Sequence, residues 1–206
     1  MTLTSLRYNE VMKSDNVDFP ISELIRRRKS VRAFTDQLVE QDKLNSLFEA
    51  TRWAPSSTNE QPWLYIYASK DQTALWNKLF EALNDGNKIW VKDAPLLIVS
   101  FARKNFTRFP GPNAHAMYDL GGANAFLALQ AVELGLQVRQ IAGFNAAKVM
   151  ENLNVPDLYE PGVFLAVGYP GSPESLPENL KLREAAPRER NSQQVFVMNQ
   201  VFDNEK

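Results

Sequence analysis

Arg26-Arg27-Arg28-Lys29-Ser30-Val31-Arg32-Ala33-Phe34 is the stretch on which the fold and the chemistry both turn. Ahead of it, Pro20 stops the N-terminal arm and Ser22 with Glu23 opens a capped basic helix that the pattern carries to Lys29. Past the helix, Arg28, Ser30 and Arg32 alternate, so an extended backbone there points two guanidiniums and a hydroxyl the same way. Guanidinium grips phosphate oxygens through a bidentate fork, which a flexible ammonium does not. A basic run is more often a solvated helix face, and on charge alone that reading leads.

Working outward, the 206 residues suit one domain of the usual roughly 100 to 200 residues. The 23 basic and 24 acidic side chains leave a net charge of -1, so no global field recruits nucleic acid or an anionic membrane. There is no cysteine, which excludes disulfides and thiolate chemistry. Met1 to Pro20 lacks an apolar core of signal-peptide length, and the longest apolar run, Pro95 to Val99, is too short to span a bilayer. A cytoplasmic protein is expected.

Periodicity predicts a helix from Glu40 to Trp53, a polar loop from Pro55 to Pro62 and a strand from Trp63 to Ala68. Asp71 is expected to cap a helix carrying Leu75, Leu79, Phe80 and Leu83, and Pro95 to Phe101 reads as a buried strand. A loop from Lys104 to Asn113 leads into a long helix, His115 to Leu134. Small residues at Gly121, Gly122, Ala123, Ala125 and Ala128 let another backbone approach that helix closely, as between subunits. Gly135 closes it. Next come a strand at Gln137 to Ile141, a helix at Ala146 to Leu153 capped by Asn145, and a strand at Gly162 to Val167. Beyond Gly168 the prolines at 170, 173, 177 and 187 suggest an extended arm, residues 169–206, ending in a short apolar strand at Gln193 to Met198. Residues 1–20 read as an N-terminal arm, and 21–206 as a single domain that includes the C-terminal one.

Catalytic signatures are sparse. His115 is the one histidine, which rules out a histidine metal site or a serine-histidine relay beside it, and no metal is expected. No phosphate-binding glycine loop is present, because Gly121-Gly122 falls within a helix. Reactivity would therefore come from a cofactor. The loop Pro55-Ser56-Ser57-Thr58-Asn59-Glu60-Gln61-Pro62-Trp63 is dense in hydroxyls and amides that both donate and accept, which suits a ligand bearing ribityl hydroxyls and ring carbonyls. A plain polar connection would account for its prolines and serines as well.

Arg28 to Phe34 and Ala54 to Trp63 closely resemble the two N-terminal flavin motifs of the nitroreductase family. In the same order follow Asn87 with Trp90, Ala94-Pro95, Gly135-Leu136, Gly143-Phe144-Asn145, Gly168-Tyr169-Pro170 and Arg188-Glu189-Arg190, so the resemblance covers about Ile21 to Val197. It implies an α+β fold with a mainly antiparallel central sheet flanked by helices, in an intertwined homodimer with an extended C-terminal arm. FMN would sit at the subunit interface. Arg28, Arg188 and Arg190 would hold its phosphate, Lys29 would belong to the same cofactor site, Ser30 would meet the ribityl region, and Arg32 the pyrimidine edge, where it supports the reduced flavin. Pro55, Ser56, Ser57 and Asn59 would come from the partner subunit, Asn87 would bond the ring's polar edge, and the backbone at Ala142-Gly143 would lie beside N5.

The resemblance further implies NAD(P)H as donor, ping-pong transfer of hydride through flavin N5, and a small acceptor such as a nitroaromatic or quinone, with no catalytic side chain needed. Phe106 and Phe109 are candidates for the acceptor pocket or for ordinary packing. Some relatives carry lysine in place of Trp90 and glutamate in place of Ala142, and Asn191-Ser192 departs from the family's proline-containing pattern. Two rival readings are a flavin-binding or flavin-modifying protein without turnover, and a nucleic-acid contact through Arg26 to Lys29.

Overall fold

The computed structural model describes residues 17–201. The predicted N-terminal arm lies outside these residues apart from positions 17–20, as does the end of the C-terminal arm, 202–206. Helix α1 (Glu23–Arg27) starts where the Ser22 hydroxyl accepts from the Leu24 amide at 3.3 Å, and ends earlier than expected because Arg28 already has extended backbone. There follow α2 (Gln41–Arg52), a 3₁₀ turn (Ser57–Asn59), β1 (Trp63–Ser69), α3 (Thr73–Glu81) and α4 (Asp85–Val91). Next are β2 (Leu96–Arg103), α5 (Ala116–Glu133), β3 (Gln137–Ile141), α6 (Ala146–Asn152), β4 (Tyr159–Gly168) and α7 (Glu178–Ala185).

The strands form one antiparallel sheet in the order β1-β2-β4-β3. β2 is central and buried from Leu96 to Ala102, and its alternate residues enter different layers, as a pleated strand requires. Leu97, Val99 and Phe101 face a layer built with Trp76, Trp90, Val149 and Leu180 from α3, α4, α6 and α7. Leu96 and Ile98 face a second layer with Leu44, Leu47, Leu127 and Ala131 from α2 and α5. Helices thus cover both faces, which is the expected α+β arrangement.

One irregularity has a chemical cause. The β2–β4 register shifts between Val99 and Phe101, opposite Pro161, which has no N–H to give to a ladder. The Ser100 hydroxyl fills in, donating to Val163 O at 2.9 Å and accepting from Val163 N at 3.2 Å.

Several local expectations are corrected. Asp71 does not cap α3; Gln72 occupies the N-cap position, and its side chain instead accepts from Ser69 N at 2.9 Å, closing the preceding turn. Leu83 falls past the end of that helix and bridges to Phe144. The stretch read as an extended arm contains α7, because Pro177 and Pro187 stand before and after it, where proline is tolerated, and not inside it. Gln193 to Met198 forms no strand: the chain makes a 3₁₀ turn at Gln193–Val195 with Val197 N bonded to Gln193 O at 2.8 Å, since no edge among the described residues pairs with it. The other boundaries match to within a few residues, including the Gly135 terminus of α5 at φ 78° and the Asn145 cap of α6.

Candidate functional site

Three arginines from distant parts of the chain meet where α1 ends. Arg188 reaches back across 160 residues to donate to Arg28 O at 2.6 Å, and also to Arg26 O at 2.6 Å. The Arg28 guanidinium donates to the Ser30 hydroxyl at 3.2 Å. Burial, and then the like charges of Arg188 and Arg190, push the Arg28 guanidinium below its usual range. Gln137, at the start of β3, steadies the segment: its Oε1 accepts from Lys29 N at 2.8 Å and its amide donates to Arg27 O at 3.3 Å.

Four residues beyond Arg28 the chemistry changes. Arg32 is almost fully buried, and its guanidinium pairs with Glu184 of α7 at 3.2 Å, both side chains being 9% exposed. The same carboxylate accepts the Arg32 backbone N–H at 2.6 Å, so α7 is fastened to the basic segment through one side chain. Arg139 of β3 lies 5.4 Å over the Trp90 ring and donates to Ser30 O. Burial first, and then Arg32, push Arg139 down to about 10, against the pull of Glu184. Arg32 therefore does not point out beside Arg28 and Ser30 as a free cation.

Farther along, past the end of β3, Gly143 O accepts from the Asn87 side chain at 2.9 Å and from Asn84 N at 3.1 Å. A Cβ on Gly143 would stand 2.6 Å from Asn87 Nδ2 and push that amide out of its present place. Ala142 next to it is exposed.

The Pro55–Gln61 loop lies elsewhere. Thr58, Asn59 and Gln61 all have positive φ (53°, 55° and 52°), at a cost of about 1–2 kcal/mol each for residues with a Cβ. Packing holds the loop in this shape: Asp119 accepts from Ser57 N at 3.0 Å, and the Ser56 hydroxyl accepts from Gln61 N at 3.0 Å. Against it lies the Lys104–Asn113 loop, with the Phe106 and Phe109 rings 4.2 Å apart and Phe109 partly open to solvent.

Register measures the separation. Trp63, just after the serine loop, pairs with Ala102, which pairs with Glu160. Gln137, which grips Lys29, pairs with Gly168. From Glu160 to Gly168 along β4 is roughly 25 Å at ~3.3 Å per residue. The two ends of α5 agree, since Asp119 lies in its first turn and Gln137 beyond its last, a helix length of roughly 27 Å. Arg28, Ser30, Arg188 and Arg190 come together, as do Asn87 and Gly143, but one copy does not bring Pro55, Ser56, Ser57 and Asn59 to them.

The face of α5 that carries Tyr118, Gly121, Ala125 and Phe126 is uncovered, with Tyr118 83% exposed and Trp53 of the neighbouring α2 end 71% exposed. A Cβ at Gly121 or Gly122 would meet nothing within 4 Å. Among the described residues no helix is long and apolar enough to cross a membrane, and no group of acidic residues and histidine is placed to hold a metal ion.

Sequence reasoning missed Arg139, Glu184 and Asp119. Arg139 left a signal, as the one charged residue in the short strand Gln137–Ile141; Glu184 and Asp119 left none, because their partners lie 152 and 62 residues away.

Comparison with known proteins places this geometry among relatives. The model of the nitroreductase family matches residues 25–169. A Stenotrophomonas maltophilia protein, provisionally named an NADH dehydrogenase/NAD(P)H nitroreductase, is 26% identical over 81% of this chain and 94% of its own. A crystal structure described as an oxidoreductase containing FMN superposes with a TM-score of 0.87 at 30% identity, covering 93% of this chain and 97% of that one. A nitroreductase family protein from Clostridium difficile 630 superposes with a TM-score of 0.71 at 28% identity, covering 89% of this chain and all (100%) of the other.

Proposed function

The chain belongs to the nitroreductase family, and from that premise we propose that it is an FMN-dependent oxidoreductase working as a homodimer. FMN held by these residues would supply the two-electron chemistry that links NAD(P)H to a small acceptor such as a quinone or nitroaromatic. Residues 21–206 act as one domain. The observation that carries the reading is the clustering of Arg188 and Arg190 about Arg28, with Arg188 donating to Arg28 O and Arg28 donating to the Ser30 hydroxyl, a group of cations that suits a phosphate dianion. Lys29 contributes its backbone to that turn through Gln137.

The remaining residues divide the work. Asn87 and Gly143 present amide and backbone groups with no side chain in the way, which suits a planar ring lying against them. Ala142, exposed beside them, would leave its backbone free to meet the ring. Pro55, Ser56, Ser57 and Asn59 are supplied by the second copy, since their own copy holds them roughly 25 Å from its arginines. The uncovered α5 face and Trp53 give the two copies an apolar surface to share. Hydride transfer depends on positioning more than on an acid or base, so the lack of a histidine beside these residues costs nothing.

The test is the visible spectrum of the purified dimer. We expect a yellow protein that bleaches anaerobically with NADH or NADPH, and parallel double-reciprocal plots against the acceptor. A protein that takes up no FMN when supplied in excess refutes the proposal, and intersecting plots refute the ping-pong order.

Arg32 tunes the same site. Its guanidinium favours the negative charge that reduction adds near the pyrimidine edge, while Glu184 offsets part of that effect. In Arg32→Ala the cation is lost, but the Glu184 carboxylate stays on the residue-32 amide. Both changes act in one direction, so the flavin midpoint potential should fall and reduction by NAD(P)H should slow by about tenfold or more, the effect of losing ~1.4 kcal/mol at the transition state. FMN retention should change less. An unchanged potential, read by spectroelectrochemical titration, would remove Arg32 from this role.

A further inference from the structure

We propose that Glu60 is a positioning residue for acceptor selectivity: it ties the Pro55–Gln61 loop to the loop carrying Phe106 and Phe109, so that both reach the flavin from the same copy. The inference rests on the functional reading above. Glu60 Oε1 accepts from Thr107 N at 2.6 Å, and Thr107 stands between the two phenylalanines. A second bond runs the same way, from the Arg108 guanidinium to Thr58 O at 3.3 Å. The tip of the aromatic loop otherwise closes on itself, through Phe106 N to Gly111 O at 3.2 Å and the Asn105–Pro112 bridge. These contacts shape the tip without fixing where it lies relative to the rest of the chain.

Glu60 suits the task. It is only 8% exposed, and its second oxygen, Oε2, is buried with no hydrogen-bond partner among the described residues, so the side chain is committed to this place at some cost in solvation. The bond to Thr107 holds the carboxyl below its ordinary range, against the effect of burial and with help from Arg108 and Arg103, so it stays ionised as an acceptor at neutral pH. The serine loop is the part that the second copy lends to each flavin, and whatever is fastened to it travels with it. The two phenylalanines, with their rings 4.2 Å apart and tilted, would therefore come to the flavin with the serine loop and give a planar aromatic acceptor a surface to pack on. A small acceptor that does not stack has no need of them.

The experiment uses FMN-loaded dimer reduced with dithionite, so that no nicotinamide step enters, and follows reoxidation by a two-ring quinone and by ferricyanide. Glu60→Ala should slow the quinone reaction by about tenfold or more, leave ferricyanide and FMN content unchanged, and speed hydrogen exchange of the Thr107 amide. Glu60→Gln, which keeps an acceptor oxygen at the same reach, should restore most of the quinone rate. Equal loss with both acceptors, or wild-type rates and exchange in Glu60→Ala, overturns the proposal. Failure of wild-type protein to be reduced by NAD(P)H would count against the enzymatic reading alone, because Thr107 exchange and dithionite-reduced protein still judge the latch.

Discussion

Arg28→Ala should weaken FMN binding by about ten- to a hundred-fold, the worth of one charge-assisted hydrogen bond of ~1.5–3 kcal/mol. Arg28 is a cleaner probe than Arg188, whose guanidinium also ties down the carbonyls of Arg26 and Arg28. The expected signature is selective. Riboflavin, which has no phosphate, should bind wild type and mutant about equally, so the ratio of the two affinities collapses in the mutant. The apoprotein should lose no stability, because removing Arg28 relieves its repulsion with Arg188 and Arg190. Titration of apoprotein by flavin fluorescence quenching, with thermal melts alongside, measures all three quantities. Equal losses for FMN and riboflavin would place the phosphate elsewhere.

A larger effect is expected at the opposite surface. Gly121→Leu adds a side chain where a single copy has open space, and exchanges glycine for a strong helix former, a gain of up to about 1 kcal/mol in the helix. The isolated copy should therefore fold at least as well as wild type. The second backbone, which the proposed dimer brings onto this face, should be pushed away, and with it goes the Pro55–Asn59 half of each flavin site. We expect a well-folded monomer with near-complete loss of FMN. Light scattering and the visible spectrum report both together; a yellow dimer would show that the α5 face is not the contact.

Most elements were legible because their signals were local. Leu44, Leu47 and Thr51 recur at helical spacing, Gln137 to Ile141 stands between a glycine terminus and an asparagine cap, and the apolar run into β2 has no reading but a buried strand. Beyond Gly168 local signals mislead, because proline brackets helices as well as breaking them, and because an apolar run such as Gln193 to Met198 becomes a strand only where an edge is there to pair with it. The candidate site divided along similar lines. Arginines and serines in a row suggest an anion site on their own, but the partner of Arg32 lies in α7, 152 residues on, and no local pattern carries that. Nor does spacing tell that Thr58, Asn59 and Gln61 adopt left-handed backbone, since the packing of Asp119 imposes it.

Because the sheet keeps its basic end and its serine-loop end apart, each polypeptide of the proposed dimer would serve two different flavins and complete neither. Mixed pairs inherit this division of labour: a copy defective at Arg28 joined to one defective at Asn59 has one centre carrying both lesions and another carrying none. Two inactive parents thus yield a hybrid with a single working half, a pattern of intragenic complementation that a self-contained centre does not produce.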